Sequence, residues 1–302
     1  MNKNVLVTGA TGFIGYHLCD RLYEDGYRVF ALGRKDENKI KCHEFYTSNL
    51  RNVPLKDLPK IDICFHLAAN NDTLSKKESD MMEANYHSSS FLFKGLSELG
   101  CNRFVYASSC SVYGNQPVPF VEGETPLEGL NFYAKSKIAF EKFIKDFASR
   151  TKSVCVGLRY TNVYGTHELH KKKRSSMISQ IIQKVHRGEN PVIFKDGSQD
   201  RDWVYVNDVI DANLLASRYG ESEIFNIGSG DVVSFNNLVA LISKKMNKKV
   251  SINYVECPFQ GAFQRHNSVS LDKSRNKLKY LPRYKVDEGI QDIKFRLGWT
   301  FN

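Results

Sequence analysis

The first fifteen residues constrain the fold more than any other stretch of the chain. Val5-Leu6-Val7 is a short apolar run, and Gly9-Ala10-Thr11-Gly12-Phe13-Ile14-Gly15 follows it with the spacing G-x-x-G-x-x-G. From Phe13 to Tyr23, Ile14, Leu18 and Leu22 recur on one helical face. A strand that turns through glycines into a helix leaves the first helical N–H groups free and lets backbone approach a pyrophosphate. A glycine triplet alone says little, but between a strand and a helix it predicts a dinucleotide site. The cofactor contacts expected there are Gly9, Thr11, Gly12, Phe13, Ile14 and Gly15. The second strand, Val29 to Leu32, leads into Gly33-Arg34-Lys35. An acidic residue near this point would hold a ribose 2′-hydroxyl, whereas arginine suits a 2′-phosphate. Arg34 therefore makes NADP the expected cofactor, and Asp36 lies close enough to keep NAD open.

The rest of the first half repeats the same alternation. Apolar runs at Ile61–Phe65, Arg103–Tyr106 and Val154–Leu158 are separated by helical stretches at Met81–Leu99 and Tyr133–Phe147. Continuous apolar strands divided by helices predict a parallel sheet covered on both faces, a doubly wound α/β fold. Beyond about residue 160 the loops lengthen and the strands shorten. The division expected is a Rossmann domain over residues 1–160 and a smaller mixed α/β substrate lobe over residues 161–302. Val204–Val206 and Phe225–Ile227 are the segments near 200–230 that could return to the main sheet.

Composition narrows the function classes. No run of 18 or more apolar residues suggests a membrane span, and the polar start Met1-Asn2-Lys3-Asn4 lacks the order of a signal peptide, so a cytoplasmic protein is expected. Seven cysteines without C-x-x-C spacing and eight histidines without a paired metal motif argue for reduced thiols and no metal. The net charge of +10 suits anionic ligands. Lys171-Lys172-Lys173-Arg174 lacks the aromatic platforms and fold signatures of nucleic-acid binding, so no nucleic acid is expected as a partner.

Tyr133 and Lys137 form Y-x-x-x-K, which puts both side chains on one face of a helix beginning near Leu130. A tyrosine has a pKa near 10, and an adjacent ammonium together with a nicotinamide cation would lower it into the range of a working base. Ser108-Ser109-Cys110-Ser111 follows a strand, where hydroxyls can meet a substrate oxygen beside the tyrosine.

Gly9–Gly15, His66-Leu67-Ala68-Ala69, Ser108–Gly114, Tyr133/Lys137, Arg159–Gly165, Arg201–Val209 and Phe225–Gly230 together resemble the extended short-chain dehydrogenase/reductases of the NAD-dependent epimerase/dehydratase family. Within it the likeness is nearest to the ADP-glycero-manno-heptose 6-epimerases. Asp80–Tyr86, Pro126–Lys137 and Asn162–Gly165 with Glu168, His170, Lys171 and Met177 carry that likeness. The resemblance implies an enzyme that epimerises a nucleotide-activated sugar through a transient ketone, with a nucleotide-sugar 4-epimerase or 4-reductase as the alternative. It implies a homo-oligomer and a role in lipopolysaccharide or capsule biosynthesis. It implies further cofactor contacts at Asn49, Leu50, Leu67, Ala68, Ala69, Asn85 and Ser108, beside Tyr133 and Lys137. Ser109, Ser111, Asn162, Lys171 and Arg201 are the implied substrate contacts, with Lys171 a second acid/base and Arg201 a diphosphate fork. Thr166-His167 replaces the Pro-Arg pair of those enzymes, and two extra residues lie between Lys171 and Met177, which brings Lys172 and Lys173 into contention for the same place. Related dehydratases carry an Asp-Glu pair where this chain has Cys110 and Ser111, which argues against dehydration.

Overall fold

A computed structural model describes residues 3–34, 39–168, 175–257 and 264–298. The first half builds strands β1 (Asn4–Thr8), β2 (Arg28–Gly33), β3 (Glu44–Thr47), β4 (Ile63–His66), β5 (Arg103–Ser109) and β6 (Val154–Tyr160). Between them run α1 (Phe13–Glu24), α2 (Glu78–Met82), α3 (Ser88–Glu98) and α4 (Phe132–Arg150). The second half contributes β7 (Asn162–Tyr164), α5 (Met177–His186), β8 (Val192–Phe194), β9 (Asp200–Tyr205) and α6 (Val206–Ala216). It continues with β10 (Glu223–Ile227), β11 (Val232–Ser234), α7 (Phe235–Lys245), β12 (Asn253–Val255) and α8 (Val286–Arg296).

Seven strands form one sheet in the order β10-β6-β5-β4-β1-β2-β3, and every pair in it is parallel. Successive side chains along a strand point to opposite faces, and here both faces are dry. Val5 and Val7 enter one cluster with Leu18 and Leu22 of α1 and Val209 of α6. Leu6 between them enters another with Phe93 of α3 and Phe140 and Ile144 of α4. This double burial is why the strands read as unbroken apolar runs. The chain leaves β1 toward β2 on one side and reaches β4 on the other, so the strand order reverses between β1 and β4. Ligands of open α/β sheets bind at such a switch point, beyond the carboxyl ends of the strands.

Two expectations change. The long helix expected over Met81–Leu99 is broken by a π-helical turn at Glu83–His87. The turn places Asn85 inward, where its amide donates to Asn70 O (2.9 Å) and Ser136 Oγ (3.0 Å) and its oxygen accepts from Asn70 N (2.7 Å). Of the two segments that could extend the sheet, Phe225–Ile227 does so against β6. Val204 and Tyr205 instead lie in β9, which pairs with β7 and β11. The position beside β6 is already taken by β10. Among the described residues no helix is long and apolar enough to cross a membrane.

Candidate active site

The glycine turn is tightly made. Gly9 sits at φ +70°, in the left-handed region, and its carbonyl accepts from Gly12 N at 2.8 Å. A Cβ at Gly9 would lie 2.7 Å from Ala68 N, and one at Gly15 would lie 2.2 Å from Gly9 O. Loop 67–69 is thus packed against the turn, and Thr8 Oγ1 helps hold it by accepting from Ala68 N at 3.3 Å. Thr8 also bonds His66 Nδ1 at 2.9 Å, while His66 Nε2 meets Ser89 Oγ at 2.9 Å. Burial pushes the His66 ring down to about 3, so it is neutral across the physiological range.

Helix α1 begins at Gly12 with no side chain capping it and no acidic residue in its first turn. Among the described residues, no side-chain cap and no acidic residue of its own first turn therefore offsets the positive end of its dipole. That arrangement, framed by glycines too crowded to carry a Cβ, fits a dinucleotide pyrophosphate. At the end of β2, Arg34 is exposed. Asn49 is also exposed, and its side-chain oxygen accepts from Arg51 N and Asn52 N at 3.0 Å each. Leu50 is half-buried against the second apolar cluster. Leu67 and Ala68 are half-buried and Ala69 is exposed. Asp36 lies outside the described residues.

Across the sheet, α4 starts under the Asn131 cap, whose side chain accepts from Ala134 N at 2.9 Å. Tyr133 follows at once, half-buried, and Lys137 one turn later is buried. The Lys137 ammonium donates to Ala107 O at 2.8 Å and lies 5.8 Å from the centre of the Tyr133 ring. Burial pulls the ammonium down to about 8, against the opposing pull of Glu141. Burial raises the Tyr133 phenol, and the Ser109 hydroxyl hydrogen-bonded to it offsets part of that rise. Tyr133 is therefore held as a neutral phenol.

Ser109 and Ser108 point apart, as adjacent strand residues do. Ser109 meets Tyr133 and accepts from Ser111 N at 3.2 Å. Ser108 is buried, and its hydroxyl donates to Glu141 at 2.6 Å. Ser111 Oγ is buried without a hydrogen-bond partner among the described residues. Cys110 is buried, its thiol pushed well above the ordinary range and directed at Arg159 O (3.3 Å).

The second half contributes less open geometry. Asn162 donates to Asp202 O (3.2 Å) and Asn267 Oδ1 (3.4 Å). Arg201 is buried, and its guanidinium donates to the carbonyls of Asp200 (2.6 Å), Arg265 (3.1 Å) and Gln264 (2.5 Å). The Gln264 amide in turn donates to Gly114 O at 2.6 Å, tying this lobe to the serine loop. Gln264 and Asn267 carry no motif that would single them out in the sequence. Lys171 lies outside the described residues, as do Lys172 and Lys173, but both flanks of that stretch are anchored. Ahead of it, His167 stacks on Tyr16 of α1 at 3.7 Å and His17 bonds Thr166 O at 2.9 Å. Buried Glu168 accepts from Ser176 N, Ser176 Oγ and Ser179 Oγ, each at 2.7 Å, and so joins that flank to α5.

Solved structures share this arrangement of strands and helices. UDP-glucose 4-epimerase of Thermotoga maritima, solved with UDP-glucose, is 28% identical, with a TM-score of 0.91 over 98% of this chain and 100% of that one. Helicobacter pylori ADP-L-glycero-D-manno-heptose-6-epimerase is 28% identical, with a TM-score of 0.89 over 99% and 97%. MoeE5, solved with UDP-glucuronic acid and NAD, is 28% identical, with a TM-score of 0.89 over 98% and 100%. Residues 5–228, which hold the glycine turn, the serine loop and the Tyr133/Lys137 helix, match the profile of the NAD dependent epimerase/dehydratase family, and the chain belongs to it.

Proposed function

We propose that this protein is an NAD(P)-dependent epimerase of a nucleotide-activated sugar, and that the sugar is an ADP-linked heptose inverted at C6. The observation that carries the reading is the meeting of Ser109, Tyr133 and Lys137 on the far side of the sheet's switch point from an uncapped glycine turn. A nicotinamide cofactor held at the glycine turn would supply the hydride acceptor and donor. Tyr133 would take the proton of the oxidised hydroxyl and give it back. Ser109 and Ser111 would hold the substrate oxygen, and Lys137 would hold the cofactor ribose and favour the phenolate. Neither Cys110, with its neutral thiol, nor Ser111 can replace the carboxylate pair that a dehydration would use. We assign most of residues 161–302 to the lobe that receives the nucleotide sugar.

The test begins with mass spectrometry of small molecules carried through purification. NMR of ADP-glycero-manno-heptose and of UDP-glucose incubated with the protein then follows the sugar. Interconversion of the heptose epimers without net change in reduced cofactor is the expected result. Steady consumption of NADPH would make the protein a reductase, and cofactor binding without turnover of either sugar would make it a binding protein. The similarity to UDP-glucose 4-epimerase, at the same identity as that to the heptose enzyme, is the reason for the UDP-glucose arm. Conversion of UDP-glucose alone would make C4 the reacting carbon.

Lys171 separates the two. An exocyclic carbon must be served from both faces, and one tyrosine reaches one face well. Lys171→Met alone should abolish heptose epimerisation with substrate binding kept, whereas Lys172→Met and Lys173→Met should leave it. If all three weaken binding alike, and salt does the same to the wild type, the run is an electrostatic attractant and the C6 reading loses its second base.

The cofactor choice rests on Arg34. Arg34→Asp puts a carboxylate where a 2′-phosphate would lie, and should lower NADP affinity by about tenfold or more while NAD affinity holds or rises. Equal NADP titrations for the two proteins would leave Arg34 without that role and favour NAD.

A further inference from the structure

Three side chains stand one turn apart along α4: Tyr133, Lys137 and Glu141. The first two enter the proposed chemistry and the third does not, yet it is the most elaborately held. Glu141 is 5% exposed and accepts from Arg159 of β6 through two bonds, Nε to Oε1 at 2.9 Å and Nη2 to Oε2 at 2.7 Å. Ser108 of β5 adds a third at 2.6 Å. Arg159 Nη1 donates to Tyr113 OH at 2.7 Å, and Tyr113 donates to Asn226 of β10 at 2.8 Å. Lys137 is bolted to the carbonyl of Ala107, the residue before Ser108. Consecutive residues of one strand thus hold the lysine and the carboxylate one helical turn apart. A buried ion pair is a poor device for stability alone, because apolar side chains of similar volume do as well or better.

We propose that Glu141 is a positioning residue for the Tyr133/Lys137 pair: fixed by Arg159 and Ser108 one turn along the helix, it keeps Lys137 charged in a dry site while the Ala107 carbonyl holds the ammonium beneath the phenol. This rests on the function proposed above, since it assigns Glu141 to the same proton-transfer pair. Among the described residues, the titratable groups facing Lys137 are Tyr133 and Glu141 of its own helix and His66 of β4, which feels its charge but stays neutral. Arg159 reaches it only from behind Glu141, whose two oxygens it occupies.

The test reads Lys137 directly and without substrate. In full-length protein carrying 13Cε-lysine, exposed lysines titrate near 10.4, so the resonance lost in Lys137→Met should titrate apart, at about 8. In Glu141→Gln its midpoint should fall by about one unit or more, and Glu141→Asp, which keeps the charge, should restore most of it. If Glu141→Gln does not fold because Arg159 is left unpaired, Glu141→Gln/Arg159→Gln removes that defect and the midpoint should still fall. An unmoved midpoint in whichever variant folds overturns the proposal, as does a Glu141→Asp midpoint no higher than that of Glu141→Gln. A midpoint that moves as expected in a protein without epimerase turnover would refute the function and leave the electrostatic role standing.

Discussion

Tyr133→Phe is expected to reduce turnover at least about a hundredfold, the usual scale of general acid–base catalysis, while NAD(P) affinity stays within about twofold of wild type. The variant removes one oxygen from the first turn of α4 and leaves the Asn131 cap that starts the helix. It leaves the glycine turn and loop 67–69 untouched, so the pyrophosphate contacts should survive. The raised phenol pKa sharpens the prediction. Burial keeps Tyr133 protonated in the resting protein, so its basic form must be drawn out by the ammonium of Lys137 and by bound ligands. Wild-type turnover should therefore rise with pH as the liganded phenol ionises, and the residual rate of Tyr133→Phe should lack that rise. Initial rates by NMR across the pH range, with cofactor titrations alongside, make the check. A variant that keeps more than about a tenth of the wild-type rate would show that another group moves the proton.

The glycine turn, the strand–helix alternation and the Tyr133/Lys137 spacing were legible because each is a local pattern with a local cause. Double burial of the strands makes them apolar throughout, and a separation of four residues puts two side chains on one helical face. Where partners come from distant parts of the chain, that legibility ended. Glu141 stands at the same helical spacing from Lys137 as Lys137 does from Tyr133, so its face could be read. That face becomes informative only when β6 delivers Arg159 to it, which is a matter of strand order. Arg201 is a similar case. The resemblance implies a diphosphate fork there, whereas its burial and its bonds to the carbonyls of Asp200, Gln264 and Arg265 come from contacts that only the fold brings together. The π-helical turn at Glu83–His87 has no propensity signature. It follows from tertiary bonds made by Asn85 to Asn70 and Ser136, which override an otherwise continuous helical pattern.

The second large effect is expected at Gly15. A methyl group there would stand 2.2 Å from Gly9 O, 2.8 Å from Gly9 C and 2.9 Å from Ala10 Cα, all of them backbone. No side-chain rotation relieves such contacts, so Gly15→Ala must push α1 away from the turn or distort Gly9, which is already at φ +70°. Overpacking of this kind costs about 1–3 kcal/mol. Because the strained atoms are the ones proposed to cradle the pyrophosphate, the same displacement should weaken NAD(P) binding about ten- to a hundredfold. Gly26→Ala is the control. Gly26 lies beyond the other end of α1 at φ +81°, with nothing within 4 Å of the added methyl. It should lose about 1 kcal/mol of stability through backbone strain alone and bind cofactor as wild type does. Calorimetric titration with NAD and NADP, paired with thermal melts, distinguishes the two. If Gly15→Ala binds no more weakly than Gly26→Ala at matched stability, the close approach of α1 to Gly9 serves packing only, and the dinucleotide must be held elsewhere along the sheet edge.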